Sequence, residues 1–139
     1  QVMHIVGGKS ELPAINLKGY LRISYCDRMD LAISAADFAV SRAGAATVAE
    51  LTAIGVPALY LPYAVGNGEQ AHNLKAVIAA GGGITISDVD FNRDYVASEL
   101  VPLLSSSKRL KEMASAARKV GILDGAERLY GLVLGVLSN

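Results

Sequence analysis

The sequence predicts an α/β fold, a parallel sheet with helices on both faces, from three observations. Short β-rich runs alternate with helical patterns up to residue 87, the runs at 38–41 and 57–62 are apolar without interruption, and glycines stand where one pattern gives way to the next. A strand covered on both faces loses the in-and-out alternation of a half-exposed sheet, and two parallel strands need a crossover long enough to hold a helix.

The elements follow in order. Residues 2–6 are β-rich and end at Gly7-Gly8, and residues 20–25 alternate in strand fashion after Lys18-Gly19. Residues 29–36 carry helix formers, Asp37 interrupts them, and 38–41 reads as a third strand. Gly44 breaks that strand, 47–54 returns to helical spacing, Gly55 stops it, and 57–62 is a buried strand. A loop at 64–68 opens a helix at 69–80, closed by Gly81-Gly82-Gly83 and followed by a strand at 84–87. Helical patterns at 95–104, 108–120 and 126–137 complete the chain, with Ser105-Ser106-Ser107 and Asp124-Gly125 between them.

The 139 residues suit one domain with a real core, and 52% hydrophobic against 19% charged residues excludes disorder. Thirteen basic residues balance thirteen acidic ones, so no phosphate-neutralising surface for nucleic acid is expected. The single cysteine, Cys26, allows no internal disulfide and fits a cytoplasmic setting. No apolar run reaches the roughly 18 to 20 residues of a membrane span, and the first residues given do not show the basic segment and apolar core expected of a signal peptide. Gln1 begins inside an apolar stretch, which reads as a fragment of a longer protein. The apolar segment 126–137 is expected to pack against a domain outside this one.

Ligands of a parallel sheet lie beyond the carboxyl ends of its strands, so the loops after Tyr25, Ser41 and Pro62 hold the candidates. The richest stretch is Ser41-Arg42-Ala43-Gly44-Ala45-Ala46-Thr47-Val48-Ala49-Glu50, small residues where a strand becomes a helix. The unpaired N–H groups and partial positive charge of a helix start suit a diphosphate. Thr47 and Glu50 also have the spacing of a capping box, a purely structural use, and both readings stand on the residues alone. After the next strand, Glu69, Gln70 and Asn73 fit either sugar hydroxyls or an ordinary helix start.

Three other signals are weaker. Asp88-Val89-Asp90 has the form of a metal-binding Asp-x-Asp, yet it falls between a strand and a helix where Asp serves as a cap. His4 falls inside a strand and His72 at a helix start near the ligand-side loops, and neither has a partner for a triad. Gly7-Gly8-Lys9-Ser10 lacks the Gly-x-x-x-x-Gly-Lys-Ser/Thr spacing of a phosphate-binding loop.

The run Ser41 to Leu51, then Gly55-Val56-Pro57-Ala58, then Gly68-Glu69-Gln70 with Asn73, closely resembles the C-terminal domain of the MurG family of glycosyltransferases, in order and over about residues 25 to 83. The resemblance implies a GT-B fold, with this chain as its Rossmann-like C-terminal domain, and a metal-free transfer of N-acetylglucosamine from UDP-N-acetylglucosamine to lipid I. It gives Glu50 the ribose hydroxyls and places Gly44, Ala45, Ala46 and Thr47 around the diphosphate and sugar. Glu69 and Gln70 then lie near the donor sugar and phosphates, with Asn73 among the substrate-binding residues, backbone at Tyr25-Cys26 meets uracil, and Arg42 is a family residue or half of a structural ion pair.

Departures accompany the match. Some relatives carry Gln-Gln where this chain has Glu69-Gln70, which moves the sugar contact onto Gln70. The family's Gly-Gly-Ser phosphate loop, the lipid I-binding N-terminal domain, its general base and its membrane contact all belong before Gln1. The expectation is therefore one UDP-sugar-binding domain over 1–139, inactive alone. Another GT-B transferase for a different UDP-sugar, half of a split transferase, and a non-catalytic nucleotide-sugar module are the competing expectations.

Overall fold

The computed structural model describes residues 1–13, 15–64 and 68–137. They form two compact units, residues 1–35 and 36–139.

The first unit is built on two parallel strands, β1 (Val2–Ile5) and β2 (Tyr20–Ile23), in register from Val2 opposite Tyr20 to Ile5 opposite Ile23. Both are shorter than their sequence patterns. The connection between them is tied down by Arg22, whose guanidinium donates to the carbonyls of Leu12 and Pro13. His4 Nδ1 lies 2.6 Å from the Tyr20 hydroxyl, so the strand histidine pairs across the ladder. Helix α1 (Met29–Ser34) follows and buries Ile33.

The second unit carries a three-stranded parallel sheet of β3 (Ala39–Ser41), β4 (Ala58–Tyr60) and β5 (Gly83–Thr85), in the order β3-β4-β5. The central strand β4 is buried throughout, as its unbroken apolar run requires. Its Tyr60 is 0% exposed, and burial pushes the phenol up to about 12. The ring lies against the backbone of Gly83, where a Cβ would come within 2.7 Å of Tyr60 Cε2. Leu59 and Leu61 meet Leu100 and Leu103 in the core on one side.

Helix α2 (Ala45–Ile54) joins β3 to β4. Gly55 ends it in the left-handed region, φ +83°, with the Val56 N–H returning to the Leu51 carbonyl at 2.8 Å. The predicted helix at 69–80 is two, α3 (Glu69–Asn73) and α4 (Lys75–Ala79). At Leu74 the N–H bonds back three residues to Ala71, tightening the turn and breaking the α-helical ladder.

The predicted helix at 95–104 is also composite: α5 (Arg93–Tyr95), a π-helical turn (Val96–Leu100) and α6 (Val101–Leu104). Pro102 would clash with the carbonyl four residues before it in a continuous α-helix, and the wider turn accompanies it. Asn92 caps this segment by accepting from the Tyr95 N–H. The cap expected within Asp88-Val89-Asp90 is thereby corrected: the cap position falls on Asn92, beyond that triplet.

Helix α7 (Ser107–Val120) starts at Ser106, whose Oγ accepts from the Arg109 N–H. It packs with backbone almost touching its neighbours. A Cβ on Gly82 would sit 2.5 Å from the Ala117 backbone, one on Gly121 would sit 2.5 Å from the Thr52 carbonyl oxygen, and Arg118 Nη2 donates to the Ile54 carbonyl at 2.6 Å. Helix α8 (Gly125–Leu137) buries none of its residues, leaving Leu132 71% and Val136 77% exposed. Among the described residues no helix is long and apolar enough to cross a membrane.

Candidate functional site

The loops after β3, β4 and β5 meet at the carboxyl edge of the second unit's sheet, and the amino terminus of α2 opens among them. Gly44 is the N-cap, in an extended conformation (φ −62°, ψ 145°), and no side chain caps the helix. The first helical bond runs from the Val48 N–H to the Gly44 carbonyl at 3.0 Å, so the N–H groups of Ala45, Ala46 and Thr47 lie ahead of the ladder. A Cβ on Gly44 would meet only Thr47 Oγ1, at 3.8 Å. Neither its φ nor its protein neighbours require glycine here, and the missing side chain leaves space in front of three aligned donors.

This geometry corrects one of the two readings of Thr47. The capping box does not form: α2 begins two residues before Thr47, which sits in its first turn, and the cap position belongs to Gly44. The cause is that Ala45 and Ala46 are strong helix formers, so the helix propagates back to the glycine. Glu50, three residues beyond Thr47, lies one turn further along the same face and is exposed.

Gln70 and Asn73 project from α3 onto the loop that precedes α2. Gln70 Oε1 accepts from the Ala43 N–H at 3.2 Å and from the Tyr63 N–H at 2.9 Å. Asn73 Nδ2 donates to the Ala43 carbonyl at 3.0 Å. Ala43 is 0% exposed, so both its backbone polar groups need partners, and these two side chains supply them. Glu69 opens α3 on its exposed side. Val65, Gly66 and Asn67, the middle of the predicted loop at 64–68, lie outside the described residues.

Arg42 bridges all three loops. Its Nη1 lies 2.7 Å from Asp88 Oδ1 and 3.2 Å from the Leu61 carbonyl, and its guanidinium stands 5.7 Å from the centre of the Tyr63 ring. Of the two uses open to Arg42, the ion pair is therefore occupied. Sequence reasoning missed its partners Asp88 and Tyr63, although both follow strands of one sheet by a few residues. Asp90 takes a different partner from Asp88, the Ser87 hydroxyl at 2.5 Å. Among the described residues no group of three His, Cys, Asp or Glu could hold a metal ion.

Arg42, Gly44, Ala45, Ala46, Thr47, Glu50, Glu69, Gln70 and Asn73 thus all belong to the second unit. Cys26 belongs to the first, half-buried in the loop between β2 and α1.

Residues 1–129 match the family described as Glycosyltransferase family 28 C-terminal domain. The chain belongs to this family. As a glycosyltransferase family 28 C-terminal domain, it is similar to two proteins named UDP-N-acetylglucosamine--N-acetylmuramyl-(pentapeptide) pyrophosphoryl-undecaprenol N-acetylglucosamine transferase. The protein from Clavibacter sepedonicus is 53% identical over all of this chain, and that from Leifsonia xyli subsp. xyli is 51% identical over 99% of it. The domain spans about 38% of the length of each of these relatives.

Among solved structures, MurG of Acinetobacter baumannii superposes with a TM-score of 0.76 at 26% identity, covering 84% of this chain and 33% of that one. The forosaminyltransferase SpnP superposes at 0.65 with 19% identity, over 90% of this chain and 33% of its own, a likeness of fold. The parallel sheets with helices are those of GT-B glycosyltransferases.

Proposed function

We propose that this domain binds UDP-N-acetylglucosamine at the carboxyl edge of its sheet and is the donor half of an enzyme that transfers N-acetylglucosamine to lipid I, forming lipid II in peptidoglycan synthesis. The uncapped amino terminus of α2 carries the reading. Three N–H donors behind a side-chain-free Gly44 suit a diphosphate, and the exposed carboxylate of Glu50 one turn on suits a ribose diol. The name shared by relatives 51–53% identical supplies the sugar and the acceptor.

In the reaction an acceptor hydroxyl attacks the anomeric carbon with inversion, the bond to UDP breaks, and the acceptor's proton passes to a base on the acceptor half. Negative charge grows on the departing diphosphate. Fixed N–H groups at the start of α2 meet that charge without reorganising, an effect worth about 3 kcal/mol when such donors are removed from enzymes. Gly44, Ala45, Ala46 and Thr47 hold diphosphate and sugar, Glu50 holds ribose, and Glu69, Gln70 and Asn73 stand beside the sugar. The complete enzyme works on the cytoplasmic side of the membrane, with its lipid contact on the acceptor half.

Calorimetric titration with UDP-N-acetylglucosamine, UDP-glucose and UMP tests this. The first binds most tightly, even if only at millimolar concentration. An equal response to UDP-glucose points to another UDP-sugar, and no response to any of the three, in this chain and in the full-length protein, sinks the reading.

A further inference from the structure

We infer that Asp88 is a positioning residue for the nucleotide: from 46 residues away it steadies the start of α2 through the side chain of Arg42, an inference that rests on the donor reading above. Arg42 stands just ahead of Ala43 and the N-cap Gly44, so restraint on its backbone restrains the peptide groups that open α2. Both supports of this tie are ordered. The Leu61 N–H still belongs to the sheet, on the Ser41 carbonyl at 2.9 Å, whereas its carbonyl lies past the end of β4 and receives Arg42 Nη1 at 3.2 Å. Asp88 sits in a turn closed by the Phe91 N–H on the Ser87 carbonyl at 3.1 Å and the Asp90 N–H on Ser87 Oγ at 3.3 Å, and Phe91 packs against the core of Leu59, Leu61, Leu100 and Leu103.

Among the described residues every polar contact of the Arg42 guanidinium runs through Nη1. Without Asp88 that nitrogen keeps one carbonyl contact, at the long end of the range for a hydrogen bond. The carboxylate adds a shorter, charge-assisted bond and so fixes the side chain at a second point. A segment that is already fixed loses less conformational freedom when a ligand arrives. The benefit therefore falls on the nucleotide common to UDP and UDP-N-acetylglucosamine, and the half-exposed setting of the pair keeps it to a few-fold.

Two readouts on this chain decide the matter. Without ligand, Asp88→Ala shifts the backbone amide NMR signals of Ala43, Gly44 and Ala45, and the same substitution made on top of Arg42→Ala leaves them where Arg42→Ala alone puts them. With ligand, Asp88→Ala weakens UDP and UDP-N-acetylglucosamine by the same factor, about 2- to 5-fold, Asp88→Glu restores both, and the effect vanishes on top of Arg42→Ala. An equal loss with and without Arg42 overturns the inference, as does unchanged affinity in Asp88→Ala. Tighter binding in Asp88→Ala makes the carboxylate a competitor of the diphosphate, loss confined to UDP-N-acetylglucosamine makes it part of a sugar contact, and either result also overturns it. If the wild-type chain and the full-length protein bind neither ligand, the donor reading has failed, and the ligand-free signals alone uphold or overturn the tie.

Discussion

Arg42 Nη1 stands 2.7 Å from one carboxylate oxygen of Asp88 and 2.8 Å from the other, so a single nitrogen straddles the carboxylate. Both side chains are about half exposed, at 50% and 47%, which limits such a pair to about 1 kcal/mol. Asp88→Ala is expected to cost that much or less in urea unfolding, with the difference shrinking in about 0.5 M salt. Arg42→Ala also loses the Leu61 carbonyl and the Tyr63 ring, and costs about 1 to 2 kcal/mol. Equal costs for the two variants would mean that the ion pair alone accounts for Arg42.

Glu50→Ala separates binding from folding. With the cap position at Gly44, Glu50 has no capping role, and the variant should keep its stability to within about 0.5 kcal/mol. With Glu50 holding the ribose diol as proposed, the variant should bind UDP-N-acetylglucosamine about 10- to 150-fold more weakly. A lower melting temperature with unchanged affinity would return Glu50 to a structural part.

Tyr60 sets an alkaline limit. Its buried phenol is raised from the ordinary 10 to about 12, so between those values the unfolded chain is deprotonated while the folded one is not. The stabilisation is complete below pH 10 and is lost as pH rises through the folded value, by about 2 to 3 kcal/mol. Tyr60→Phe should flatten this decline in a melting-temperature profile. At neutral pH it should be neutral or mildly stabilising, because the hydroxyl has no hydrogen-bond partner among the described residues. A steep decline that persists in the variant would place the alkaline sensitivity elsewhere.

The glycines fall into two kinds. Gly82→Ala and Gly121→Ala drive a methyl into backbone atoms 2.5 Å away, and each should cost about 1 to 3 kcal/mol in denaturant unfolding. Gly131, inside α8, has nothing within 4 Å of its Cβ position, and Gly131→Ala should raise helix content by circular dichroism, through about 0.5 to 1 kcal/mol of propensity. Similar effects at all three positions would mean that α7 is not held by backbone contact.

Much of this was readable before the structure, for definite reasons. β4 announced itself because burial on both faces leaves no room for a polar residue, and Gly55 because its left-handed φ excludes most other side chains. The start of α2 was misplaced by two residues: Thr47 and Glu50 carry a capping pattern, while the determinant is that Ala45 and Ala46 extend the helix to a glycine with extended dihedrals. The π-helical turn left only Pro102 as a signal, inside an otherwise regular pattern. Gln70 and Asn73 were visible as polar residues at a helix start, but their partners are backbone groups of Ala43, 27 and 30 residues earlier. Arg42 and Asp88 stand 46 residues apart. No local periodicity reports such pairings.

The near-contact of α7 with Gly82, and of its C-cap Gly121 with the end of α2, lies at the amino edge of the sheet, opposite Arg42, Gly44 and the start of α3. Structural tolerance and chemical identity are therefore set at different ends of the same three strands. On the donor reading proposed above, substitutions that alter sugar preference fall in the loops at the carboxyl edge, within the limits set by the contacts of Arg42 and of Ala43, while the opposite rim holds helices and strands together.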